Sequence, residues 1–83
     1  PPLPPAEFST FILSLSTAAL VNLGEMQNPV TGEAEKDVNA AKHTIDIIGM
    51  LGDRTKGNLS EEETRFLDGV LADLRLKYCK AVE

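Results

Sequence analysis

The feature that most constrains this chain is an uncharged stretch that runs from Phe8 to Gly24. Its 17 residues contain ten apolar side chains and no Asp, Glu, Lys or Arg. Apolar residues spaced three and four apart predict an amphipathic helix, and Gly24 is the residue type that commonly ends one. We therefore expect a first helix over residues 8–23. Its broad apolar face comprises Phe8, Phe11, Ile12, Leu15, Ala18, Ala19 and Leu23.

Two further helices are predicted downstream. Asp37 is a suitable N-cap for a helix over residues 38–56, whose charged side includes His43 and Asp46. Ser60 and Glu63 form a capping box that starts a third helix over residues 61–81. The expected buried stripe of this helix is Phe66, Leu67, Val70, Leu71, Leu74, Tyr78 and Ala81. Because the link between these helices is short, we expect an antiparallel hairpin packed on the first helix.

The length and the net charge of the chain restrict its possible fold classes and binding partners. A chain of 83 residues forms one small domain, and the helical patterns make it all-α. Residues 1–7, rich in proline, are expected to form an extended tail before a single helical domain over residues 8–83. The net charge of −5 argues against nucleic acid and against docking on anionic membranes.

No arrangement of residues predicts catalysis or a cofactor. His43 and Asp46 are one helical turn apart and are weak candidates for a metal pair, although two ligands make only half a site. The lone Cys79 cannot form an intrachain disulfide and does not require an oxidising compartment. We expect a protein that is not an enzyme and holds no cofactor, with metal or small-ligand binding through His43 and Asp46 as the alternative.

The first helix has more apolar surface than two neighbours can cover. Leu13 and Leu20 fall outside its broad face. The candidate interface there is Ser9, Leu13, Ser16, Thr17 and Leu20. Exposed apolar patches usually mark interfaces, so we expect a homo-oligomer, favour a dimer, and keep a heteromeric protein partner as the next alternative. Peripheral membrane association is the third alternative, disfavoured because the helix lacks a basic polar face.

Several segments together resemble a known bacterial family. They are residues 8–16, Leu23-Gly24-Glu25, residues 28–33, Thr44-Ile45-Asp46, Gly49-Met50-Leu51 and residues 55–59. The chain resembles the family described as a domain of unknown function, DUF1844, over nearly its whole length from Phe8 to Tyr78. That resemblance implies a small helical protein of the bacterial cytoplasm, and it carries over no catalytic residue.

Overall fold

The computed structural model describes residues 6–28, 30–32 and 36–83. Three helices make up the fold: α1 is Phe8–Asn22, α2 is Val38–Arg54 and α3 is Glu61–Ala81. The three helices pack against one another, which confirms the predicted all-α, three-helix class. Residues 1–5 of the predicted tail lie outside the described residues, so its extended conformation stays a prediction.

Local signals explain where the helices begin and end. The Asp37 carboxylate accepts a hydrogen bond from the backbone N–H of Ala40 at 3.1 Å. The Ser60 side chain accepts from Glu63 N–H at 3.1 Å, and Ser60 N–H donates to Glu63 at 2.8 Å, so the predicted capping box is present. Helix α2 ends at Arg54, two residues before its predicted end, with Thr55 as its C-cap, and the chain then turns through Gly57 at a φ of 88°.

The core lies where the three helices meet. Its largest fully buried side chains are Ile12, Ile48 and Leu74, one from each helix. The other buried residues of this cluster are Ala19, Leu23, Ala41, Ile45, Leu67 and Leu71. Val21 is also buried but lies apart from the cluster. No single pair of helices encloses this core, so each helix depends on both of the others.

Close packing joins α2 to α3. Leu67 packs directly against Gly52, Arg75 lies over Gly49, and Ile45 shares a cleft with Tyr78 further along. Residues later in α2 therefore meet residues earlier in α3, which is the order that an antiparallel hairpin requires. The absent side chain of Gly52 lets α3 approach α2 closely at this point.

The ends of α1 are placed by contacts with its neighbours. The backbone N–H of Asp37 donates to the carbonyl of Asn22 at 2.8 Å, which ties the start of α2 to the end of α1. Ser9, in the first turn of α1, shares a cleft with Glu62 and Phe66 in the first two turns of α3. Helices α1 and α3 therefore begin side by side.

Candidate association surface

The buried face of α1 differs from the predicted one. Ile12, Ser16, Ala19 and Leu23 are buried at spacings of four, three and four residues, which places them on one stripe. Phe8, Leu15 and Leu20 pack against the core beside that stripe, and Val21 is buried on the opposite side of the helix. Phe11, expected on the broad buried face, is 50% exposed, and Ala18 is also exposed. The other predicted residues of the broad face are buried or pack against the core, so its uncovered edge is the one that carries Phe11 and Ala18.

Ser16 must be removed from the candidate interface. Its side chain is 9% exposed and lies on the same helical stripe as Ile12 and Ala19, which face the core. The prediction that Ser16 lies on an outer face is therefore wrong. A serine is small enough to sit beneath neighbouring helices, and composition alone does not separate this use from a role in helix association.

Ser9, Leu13, Thr17 and Leu20 lie along one side of α1, which we call the α1 stripe. Leu13 at its centre is 55% exposed. Leu20 is half-buried and packs against the core, so it contributes less free surface than predicted. Ser9 and Thr17 are half-buried. The α1 stripe is therefore uncharged, and Leu13 is its main exposed apolar side chain.

Two hydroxyl groups on this side of α1 are already bonded within the helix. The Thr17 hydroxyl donates to the carbonyl of Leu13 at 3.1 Å, and the Ser14 hydroxyl donates to that of Phe11 at 2.8 Å. A hydroxyl with a partner in its own helix loses less on leaving water than an unbonded one. Covering this side of α1 therefore carries a small desolvation penalty.

Residues of α3 extend the stripe sideways. Phe66 was expected in the buried stripe, but it is 37% exposed and lines the cleft with Ser9 and Glu62. Towards the C-terminal end of α3, Lys77 donates a hydrogen bond to Asp73 at 2.8 Å. That bond raises the pKa of Lys77 against the opposing effect of burial, and the nearby Glu25 carboxylate raises it further.

Sequence reasoning missed the contribution of α3 to this surface. Phe66 precedes the buried Leu67 and stands at the edge of the apolar pattern, which is the one local signal that it borders the core. Glu62 carries no such signal, because its position beside α1 depends on how the two helices pack.

The weak metal candidates do not converge on a site. His43 is exposed, and the Asp46 carboxylate accepts a hydrogen bond from Lys42 at 3.0 Å. That bond and the charge of Asp46 raise the pKa of Lys42. Within residues 6–28, 30–32 and 36–83, no three His, Cys, Asp or Glu side chains are grouped to hold a metal ion. Metal binding at His43 and Asp46 stays a prediction without a supporting contact.

Two clefts border α2 and α3. One runs past Gly49, Gly52 and Arg75, with Asp53, Asp68 and Lys56 along its rim. The other is smaller and is lined by Lys42, Ile45, Arg75, Tyr78 and the exposed Cys79. Acidic and basic side chains are mixed along the first cleft. Its electrostatic potential therefore has no uniform sign that would attract a charged ligand. In the part of the chain that is described, no helix is long and apolar enough to cross a bilayer.

These features define a small three-helix domain whose first helix is uncharged and partly uncovered. Residues 5–80 match the family described as a domain of unknown function, DUF1844. The chain therefore belongs to that family, as its sequence pattern predicted. Comparison with curated proteins finds no match, and neither does comparison with solved structures.

Proposed function

We propose that this protein is a non-enzymatic association module that pairs with a second copy of itself through the α1 stripe. The observation that carries the proposal is Leu13, which stays 55% exposed at the centre of the stripe. Covering the exposed part of such a leucine contributes about 1 kcal/mol per chain, and a two-fold pair gains it twice.

Electrostatics favour this surface over the rest of the molecule. The chain carries a net charge of −5, so two copies repel one another over most approaches. Helix α1 has no ionised side chain from Phe8 to Asn22. Two copies that meet there bring no like charges into direct contact, and an uncharged stripe suits an equally uncharged partner surface. A second copy supplies that surface.

The setting we propose is the bacterial cytoplasm. This proposed location rests on the resemblance to the bacterial family and on the single exposed cysteine, Cys79, which has no intrachain partner. A thiol of this kind suits a reducing compartment.

A matched pair of variants tests the pairing. Leu13 and Leu76 are 55% and 56% exposed, and Leu76 lies on α3. Sedimentation velocity at micromolar concentration should give a dimer for the wild type and for Leu76→Asp, and a monomer for Leu13→Asp. Circular dichroism should show equal helicity in all three. A monomeric wild type, or equal behaviour of the two variants, would overturn the proposal. Leu20→Asp is less suitable, because Leu20 also packs against the core.

A heteromeric partner is a separate outcome of the same measurements. In that case the purified wild type is monomeric, and Leu13→Asp changes nothing in its sedimentation. That result removes self-association as the function of the stripe.

A further inference from the structure

The smaller cleft between α2 and α3 has the features of a ligand site that the association surface does not use. It has a volume of about 260 Å³ and is lined by Ile45 of α2 and by Tyr78 and Cys79 of α3. Its walls are mostly apolar. Small-molecule sites combine apolar walls with a few placed polar groups, so the ligand class depends on the charged side chains that border the cleft.

Three charged side chains line this cleft: Lys42, Asp46 and Arg75. The Lys42 ammonium donates a hydrogen bond to the Asp46 carboxylate at 3.0 Å, so these two charges largely compensate each other. Among the residues that the structure describes, Arg75 takes part in no hydrogen bond or ion pair. The cleft is therefore left with one uncompensated positive charge.

The guanidinium of Arg75 lies against the backbone of α2. One of its terminal nitrogens is 3.3 Å from the position that a Cβ atom on Gly49 would occupy, so the missing side chain of Gly49 makes room for it. Arg75 also lines the larger cleft, where Asp53 and Asp68 lie along the rim without pairing with it. A guanidinium is a planar fork of donors that matches the two oxygens of a carboxylate, so its free donors favour that ligand group.

We propose that this cleft binds a short aliphatic monocarboxylate, with the carboxylate on Arg75 and the chain between Ile45 and Tyr78. At roughly 30 Å³ for each water-sized group, the volume holds about nine such groups, which limits the chain to about six carbons. The net charge of −5 repels anions at long range, but at physiological salt charges more than about 8 Å away are largely screened. The nearby guanidinium therefore dominates, and the proposal does not depend on self-association.

Three probes with the same six-carbon chain separate the contribution of charge from that of apolar contact. Hexanoate, 1-hexanol and hexylammonium are titrated into nitrogen-15-labelled protein, and the backbone amide resonances are followed by NMR. We expect saturable shifts with hexanoate around Ile45 and Tyr78, with a Kd on the order of 1 mM, because a small ligand in an open cleft makes few contacts. The other two probes should bind at least about tenfold more weakly. Equal binding of 1-hexanol, or no saturable shift with hexanoate, overturns the proposal.

A matched pair of arginine variants tests the role of Arg75. Arg75→Gln removes the free guanidinium from an exposed position and should raise the Kd for hexanoate about tenfold or more, since hydrogen bonds to charged groups are the stronger ones. Arg65→Gln changes the net charge equally, but Arg65 pairs with Glu61 and lines neither cleft between α2 and α3. We expect it to change the Kd less than about twofold. An equal effect of the two variants overturns the assignment of the carboxylate to Arg75.

The Cys79 thiol gives a second readout that needs no variant. It is the single cysteine of the chain, it is exposed and it lines the cleft, so a bound ligand should shield it from N-ethylmaleimide. At a hexanoate concentration equal to the Kd, half of the molecules are occupied and the alkylation rate should fall to about half. Hexylammonium at the same concentration should leave the rate unchanged. Saturable hexanoate binding with no protection of Cys79 would place the ligand elsewhere and overturn the proposed site.

Discussion

The Cδ2 methyl of Leu67 lies 2.9 Å from the position that a Cβ atom on Gly52 would occupy. Real Cβ atoms essentially never approach another heavy atom that closely, and Leu67 is only 4% exposed, so it has little room to move. The contact shows that α2 and α3 approach each other through the missing side chain of Gly52. The glycine has a packing role that outweighs its poor helix propensity.

The Gly52 contact predicts opposite effects of one substitution at two helical glycines. Gly52→Ala gains about 1 kcal/mol of helix propensity but should lose about 2 kcal/mol by overpacking against Leu67, a net destabilisation. Gly69 in α3 is exposed and an added Cβ there meets nothing within 4 Å. Gly69→Ala should therefore stabilise the protein by about 0.5–1 kcal/mol. Urea denaturation measures both, and equal changes at the two sites would contradict the packing role.

The capping box at the start of α3 should contribute measurably to stability. Ser60→Ala removes the acceptor for Glu63 N–H and should lower the free energy of unfolding by about 1 kcal/mol. Ser14→Ala is the matched control, because Ser14 is exposed within α1 and bonds only to a carbonyl in its own helix. Alanine there should be neutral or slightly stabilising. Thermal unfolding followed by circular dichroism compares the two, and a loss at Ser14 as large as at Ser60 would argue against capping.

The core depends on Leu74 more than on any exposed leucine. Leu74 is 1% exposed, so Leu74→Ala removes buried methyl groups and leaves a cavity, with an expected loss of about 2–5 kcal/mol. Leu76, two residues later, is 56% exposed, and Leu76→Ala should change stability by less than about 0.5 kcal/mol. In a domain this small, Leu74→Ala should leave a large fraction unfolded at 37 °C, which hydrogen exchange by NMR detects directly.

The ion pair between Lys77 and Asp73 predicts a pH dependence. The hydrogen bond to Asp73 raises the pKa of Lys77 above its ordinary value of 10.5. Because the pKa is raised in the folded state, the pair stabilises the fold below about pH 10.5, and the effect disappears as the pH rises through the folded-state pKa. Asp73→Asn should bring the pKa of Lys77 down.

Lys42 supplies an internal control for that titration. Its pKa is raised by a hydrogen bond to Asp46 and by the charge of the same residue. Asp73→Asn should leave Lys42 unchanged while it shifts Lys77. Selective NMR of the lysine side chains follows both amines in one titration. A Lys77 pKa that is the same in both proteins would show that the Asp73 contact is absent in solution.

The sequence alone determined the number and type of helices and their main boundary signals. The Ser60–Glu63 capping box and the Asp37 cap each join residues three apart in the sequence. Gly24 and Gly57 adopt a positive φ within one turn of the end of a helix. Such interactions are complete within a short segment, so they can be read before any tertiary contact forms. The charged side of α2 and the uncharged α1 were equally visible in the pattern.

Only the tertiary structure decided which side of α1 is buried and what borders the exposed side. Ser16 faces inward and Phe11 outward because the sector of α1 covered by its neighbours includes the Ser16 side and stops short of Phe11. Phe66 and Glu62 border this surface because α3 starts beside α1. Where a helix has no charged side to mark its exposed face, its orientation is set by the shape and position of its neighbours, and those come from residues distant in the chain.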